Sequence, residues 1–214
     1  MEDGKRKMNN EFKYEIFDIN EDIFNRIINK SYIENDFIKL DDLVYIKFLH
    51  YDFNNNVKEG ELIVNKKIKD KIINILKELF DNKYQINSFK LIDNYFDNEE
   101  DKIAIDRKSI LDDNSYSFFY RKIYGTDKLS KHAHGLAIDI NPRENPYLPF
   151  VDGKYDYTYL DEQDKYYLDN RDKDIDHVIT HDDLLYKVFL KNGFTWGGDW
   201  DTSKDYQHFE VDYE

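Results

Sequence analysis

The stretch Ser130-Lys131-His132-Ala133-His134-Gly135-Leu136-Ala137-Ile138-Asp139 sets a histidine and an aspartate seven residues apart, with a glycine between them. Seven is odd, so on one unbroken strand the side chains at 132 and 139 would point to opposite faces. Gly135 offers the remedy, because a glycine adopts the positive φ of a turn or bulge and re-aims His132 toward the face of Asp139. Leu136 to Ile140 then reads as a short buried strand, stopped by Asn141-Pro142. Near the C-terminus, Asp205-Tyr206-Gln207-His208-Phe209-Glu210 supplies another histidine with a carboxylate three residues before it. On a final strand His208 and Glu210 would share one face. The imidazoles of His132 and His208 and the carboxylate of Asp139 make a three-ligand set suited to one catalytic Zn2+, which keeps a fourth position for water.

The remaining chemistry is read around that set. Asp205 would lie beside the open position and act as general base toward water. Glu210 is either a ligand or a partner that orients a ligand imidazole; the second role is preferred. Arg121, nine residues before Ser130, would stabilise the oxyanion that forms when water attacks a carbonyl. Ser130 is expected to bond the substrate backbone. His134 is read as a wall or packing residue, and His50, His177 and His181 as structural. Trp196-Gly197-Gly198-Asp199-Trp200 supports two readings: rings lining a substrate cleft, with Trp196 as the candidate contact, or core tryptophans around a glycine turn.

Composition bounds the class of protein. A chain of 214 residues is most simply one domain with a core, and 40% hydrophobic and 16% aromatic content excludes a disordered chain. The absence of cysteine leaves only His, Asp and Glu as metal ligands. A formal charge of -14 argues against a general nucleic-acid binder. No apolar run reaches the length of a membrane span, and Met1-Glu2-Asp3-Gly4-Lys5-Arg6-Lys7 is not followed by the apolar segment of a secretory signal.

Residues 1–40 read as a charged extension with a helix around Ile23-Phe24-Ile27-Ile28, and 41–214 as the functional domain. Leu43 to Leu49 and Glu61 to Val64 read as strands around an Asn54-Asn55-Asn56 turn. Ile68, Ile72, Ile75, Leu76 and Leu79 have helical spacing, ending at Asp81-Asn82. Ile86 to Ile92 is a candidate strand, Glu99 to Leu111 a weaker helix, and Ser115 to Tyr120 an extended segment. Asp152 to Asp183, with eleven acidic and four basic residues, reads as a long solvated surface excursion. Thr180 with Asp183 resembles a capping pair before a helix at Leu184, Leu185, Val188 and Phe189, which ends at Gly193. The irregular order of strands and helices favours α+β.

The spacing Ser130-x-His132-x-x-Gly135-x-Ala137-x-Asp139, followed by Asp205-x-x-His208, resembles the signature of the M15 zinc peptidases. Tyr120-Arg121, Asp139-Ile140-Asn141-Pro142, Gly193-Phe194-x-Trp196-Gly197-Gly198-Asp199-Trp200 and Gly60-Glu61-Leu62-Ile63-Val64-Asn65 bring it nearest to the VanY-like D-alanyl-D-alanine carboxypeptidases. The resemblance implies a small antiparallel sheet with flanking helices, of the hedgehog/DD-peptidase-like kind. It implies zinc on His132, Asp139 and His208, Asp205 as base, Arg121 as oxyanion stabiliser and Ser130 as a substrate contact. The activity implied is hydrolysis of an amide bond in the peptidoglycan stem peptide by a monomer at the bacterial cell wall. It would be reached by phage-type release, by non-classical export or after loss of a leader. Cleavage at D-Ala-D-Ala is favoured; an endolysin-type L-alanyl-D-glutamate endopeptidase and a non-catalytic wall-peptide binding module are the alternatives. His134 departs from the tyrosine common in the family.

Overall fold

The computed structural model describes residues 11–97 and 101–212; the Met1–Lys7 segment and the expected helix start at Glu99 lie outside them. In chain order the described strands are β1 (Tyr14–Asp18), β2 (Leu43–Tyr51), β3 (Val57–Asn65), β4 (Ser88–Phe89), β5 (Asn114–Ser115), β6 (Ala137–Asp139), β7 (Tyr147–Leu148), β8 (Phe150–Val151), β9 (Lys154–Tyr155), β10 (Thr195–Trp196), β11 (Lys204–Asp205) and β12 (His208–Glu210). The helices are α1 (Glu21–Ile27), α2 (Lys69–Asp81), α3 (Lys102–Leu111), α4 (Glu162–Asp169) and α5 (Leu184–Lys191). Helices and small, mainly antiparallel sheets in irregular order make an α+β fold.

The longest pairing is β2 with β3, antiparallel from Leu43 opposite Asn65 to Tyr51 opposite Val57. Their turn is closed by Asp52, whose Oδ1 accepts from the backbone N–H of Asn54 (2.9 Å) and of Asn56 (2.8 Å). Strand β2 is buried on both faces, which explains its nearly continuous apolar run. Val44, Ile46 and Phe48 face the main core, into which α2 presses Ile72, Ile75, Leu76 and Leu79. The same core receives Leu185, Val188 and Phe189 of α5, with Ile138 and Phe209 from a second sheet.

Leu43 and Tyr45 on the other face of β2 meet Ile23 and Ile27 of α1, with Tyr32, Ile38, Ile63, Leu91 and Phe118. The segment read as an extension therefore supplies one wall of a hydrophobic cluster. Strand β1 also pairs antiparallel with β2, Tyr14 opposite Phe48. Only its helix was visible in the apolar spacing, because every residue of β1 is exposed.

Three further differences have local causes. The strand expected over 86–92 shrinks to β4, because the Asn114 side chain occupies the backbone of Lys90, accepting from its N–H (2.8 Å) and donating to its carbonyl (3.0 Å). Helix α5 is capped by Asp183, whose Oδ1 accepts from Leu185 N–H (2.7 Å), rather than by Thr180. The acidic excursion is anchored: Asp164, 1% exposed at the start of α4, accepts from Arg143 (2.7 Å) and Arg107 (3.3 Å), and Val178 and Ile179 are buried. Arginine pairing converts part of a run that reads as solvated into an element packed on the body.

Candidate metal centre

The second sheet, in the order β10-β12-β6, brings the two distant sequence fragments together. His208 lies directly opposite Asp139, Phe209 opposite Ile138, and Glu210 opposite Ala137. The two-residue period of the strands sends Phe209 and Ile138 into the core and leaves His208, Asp139 and Glu210 on the other face.

His132 comes from a single 3-10 turn, Lys131–His134, that precedes β6. Ser130 caps the turn, its Oγ accepting from the His132 N–H (3.3 Å). Gly135 ends it with φ 64° and ψ 28°, the left-handed conformation that reconciles the odd spacing of 132 and 139. Glycine is required for a second reason. A Cβ at Gly135 would sit 2.7 Å from the backbone nitrogen of Asn65. The end of β3 is docked there, Asn65 N–H donating to Gly135 O (2.9 Å) and Asn65 Nδ2 to His134 O (3.1 Å).

One ligand atom each from His132, Asp139 and His208 lies within 4.8 Å of the others, and all three residues are buried. His132 Nδ1 is 2.6 Å from the Ser117 carbonyl, which only accepts, so that nitrogen carries the proton and Nε2 presents a lone pair. His208 Nε2 is 3.0 Å from the Glu210 carboxylate, which leaves Nδ1 as the inward lone pair. His132 Nε2 stands 3.2 Å from His208 Nδ1 and 3.2 Å from Asp139 Oδ2, and His208 Nδ1 stands 2.9 Å from Asp139 Oδ1. Two imidazole lone pairs and a carboxylate thus converge in a buried space, an arrangement that suits a cation. The donor set fits Zn2+, which takes imidazole and carboxylate ligands.

The electrostatics point the same way. Burial works against a charged His208, but its bonds to Asp139 and Glu210 outweigh burial and push it up to about 10. Burial alone would raise Asp139; the facing His132 and His208 overcome it and hold that carboxyl well below the usual range. Without a metal, a proton on His208 supplies the positive charge.

Asp205 sits on β11, paired opposite Tyr147 of β7. Its Oδ1 is buried without a hydrogen-bond partner among the described residues. Burial, reinforced by the charge of Asp139 and opposed by His208 and Arg121, pushes it up to about 7. The glycine pair explains how it is seated: a Cβ at Gly197 would come 2.5 Å from the Asp205 carbonyl and 2.8 Å from its Cβ. Arg121 is held by Asp106, Nη2 to Oδ2 3.3 Å, and its Nε is buried without a partner among the described residues.

The structure thus brings together His132, Asp139, His208 and Glu210, and sets Asp205 and Arg121 where their charges act on one another. Ser130 is 5% exposed and its hydroxyl serves the turn that carries His132. Trp196 corrects the cleft reading: it is 3% exposed, its indole N–H donates to Tyr206 O (2.8 Å), and its ring packs with Phe209. Trp200, only partly buried, is the tryptophan beside the centre, its ring centroid 5.5 Å from that of His208. Tyr116 was not singled out in the sequence. Its ring stacks on His132 at 5.0 Å and its backbone bridges Asp139. It lies in a segment whose extended pattern gave its conformation but no sign of what it touches.

The family model described as D-alanyl-D-alanine carboxypeptidase matches residues 124–211. The matched segment is similar to the M15 peptidases. That segment contains His132, Asp139, Asp205, His208 and Glu210, and Arg121 precedes it by three residues. No curated protein and no solved structure matches the chain. Within the matched residues, the centre is formed by β6, β12 and the turn before β6, so the match and the convergence of donors fall together.

Proposed function

We propose that this peptidase hydrolyses an amide bond in the peptidoglycan stem peptide, acting as a D-alanyl-D-alanine carboxypeptidase with one Zn2+ on His132 Nε2, Asp139 and His208 Nδ1. The observation that carries the reading is the convergence of three lone-pair donors, the two imidazoles among them already engaged on their outer nitrogens by Ser117 and Glu210. Zinc bound there would polarise the scissile carbonyl and lower the pKa of attacking water to about 7.

The chain's own groups supply the rest. Asp205, with an unpartnered oxygen and an affinity for protons near neutrality, takes a proton from the attacking water and delivers it to the leaving amine. Arg121 offers an unspent N–H and a fixed positive charge to the oxyanion that develops on the carbonyl oxygen. Glu210 and the Ser117 carbonyl hold the two imidazoles in the tautomers that face inward.

Digestion of purified muropeptides by the zinc-loaded protein, read by product mass, tests this. Loss of a single terminal D-Ala from a pentapeptide stem is the expected result. Release of the stem cut between L-Ala and D-Glu would replace the carboxypeptidase reading with the endopeptidase one. Binding without any product at any pH would replace both with a non-catalytic wall-binding module.

A further inference from the structure

Arg121 is gripped from one end. Its Nη2 lies 3.3 Å from Asp106 Oδ2 and 3.5 Å from the Tyr116 hydroxyl, and its guanidinium stands 4.8 Å from the Tyr124 ring centroid. Asp106 is 7% exposed on α3 and is itself fully engaged: the Tyr116 hydroxyl donates to Oδ1 (2.8 Å) and the Tyr124 hydroxyl to Oδ2 (3.0 Å). Tyr116 continues the chain of contacts into the metal centre, its ring on His132 and its backbone on Asp139. The nearby cation Lys102 does not compete for Asp106, because its ammonium bonds the Tyr120 carbonyl and stands 5.6 Å over the Phe119 ring.

A guanidinium has five N–H donors in a rigid plane, so fixing one nitrogen and one flanking ring fixes the direction of all the others. With Nη2 committed to Asp106, the buried Nε–H of Arg121 is left without a partner among the described residues. A buried donor kept unsatisfied is costly, and such groups are retained where a ligand or transition state satisfies them.

We propose that Asp106 is a positioning residue for the hydrolysis: acting with Tyr116 and Tyr124, it locks the Arg121 guanidinium in the orientation that leaves its Nε–H for the developing oxyanion. The inference rests on the peptidase reading above for the role of Arg121. It separates Asp106 from a simple structural ion pair, because its effect on turnover must pass through Arg121.

The test compares Asp106→Asn, Asp106→Glu, Arg121→Ala and the double variant Asp106→Asn/Arg121→Ala, each zinc-loaded, on a pentapeptide stem. Asp106→Asn is expected to lower kcat roughly 10–100-fold, part of what loss of a whole oxyanion donor costs. KM should change less than about threefold, the zinc content should stay unchanged, and Asp106→Glu should recover part of kcat. In the Arg121→Ala background the same Asp106→Asn change should cost less than about twofold, since residues that act through one another are not additive. Equal losses in both backgrounds, or full activity of Asp106→Asn, would overturn the proposal.

Should Asp106→Asn fail to fold, Tyr124→Phe removes one of the bonds to Asp106 Oδ2 and should lower kcat by a smaller factor with KM unchanged; wild-type kcat there overturns the proposal. If the wild-type protein cleaves no stem peptide, the peptidase reading fails on its own. The side-chain 15N spectrum of the metal-free protein then decides the positioning claim. A protected Arg121 Nε–H signal that is lost in Asp106→Asn supports it, and a signal unchanged by the substitution refutes it.

Discussion

At the scale of single residues, ligand and base make different demands. His208 binds inward through Nδ1 and outward through Nε2 to Glu210, so its truncation removes a donor and also strands two carboxylates. His208→Ala is therefore expected to lose stoichiometric zinc and all turnover, measured by metal analysis of the purified variant. Asp205 has no bond to the three donors and only an unpartnered Oδ1 to offer. Asp205→Asn should retain zinc and lose turnover by about 10²–10⁴, the range a general base contributes. Loss of zinc in Asp205→Asn, or turnover at the wild-type rate, would move the base elsewhere. These three donors were legible in the sequence only as a conjunction: the His132 and Asp139 spacing is common taken alone, and the second fragment around His208, with Arg121, singled it out. Trp196 was not, since the same Trp-Gly-Gly-Asp-Trp string suits a cleft or a core. What decided it was a hydrogen bond to Tyr206, ten residues further along, and a cross-strand neighbour, Phe209, neither of which the string itself marks.

Elements were legible where burial imposes a period. The stripe Ile72, Ile75, Leu76 and Leu79 announces α2, and the apolar run from Leu43 announces β2, because both bury faces against the same core. Strand β1 carries no such imprint: its pairing is backbone to backbone and its side chains stay in water. The anchoring of α4 was equally hidden, since Asp164 and Arg143 lie twenty-one residues apart in sequence and nothing in either marks the other as its partner. The N-terminal elements yield a prediction of their own. Ile23, Ile27, Tyr32 and Ile38 are at most 7% exposed, and at about 1.5–3 kcal/mol each their burial rivals the ~5–15 kcal/mol net stability of a domain. A chain beginning at Asp41 would leave Leu43, Tyr45, Ile63 and Phe118 facing water. It is expected to lose its cooperative thermal transition and to aggregate, whereas a soluble truncated protein with wild-type Tm would show residues 1–40 to be dispensable.

Across the whole molecule, a second buried carboxyl pair away from the metal donors sets how stability varies with pH. Asp113 and Glu144 are 8% and 5% exposed and lie where the charge of one acts on the other, and Glu144 Oε2 is buried without a hydrogen-bond partner among the described residues. The Arg143 backbone N–H donates to Asp113 Oδ1 (3.1 Å), and the Arg143 guanidinium is committed to Asp161 and Asp164, so neither carboxyl has an arginine side chain to itself. Burial first, then the charge of Asp113, pushes Glu144 up to about 8, and burial raises Asp113 as well. In the unfolded chain a glutamate releases its proton near pH ~4.3. Between that value and about 8 the folded protein therefore holds a proton that the unfolded chain has lost. Stability from this pair is fully present below the unfolded value and is lost as pH rises through the folded one. Glu144→Gln fixes the neutral form, so the variant and the wild type should melt alike near pH ~4, below the unfolded value. By pH 8.5 the wild type should melt lower than Glu144→Gln by roughly 5 °C or more. The comparison cancels the other titrating groups, including Glu61 and Asp161, whose bonds to arginine hold them down to about 2 despite burial and give the opposite, acid-side dependence. Thermal scans of both proteins across that window decide it: a gap that stays constant with pH would mean that Glu144 does not hold its proton in the fold.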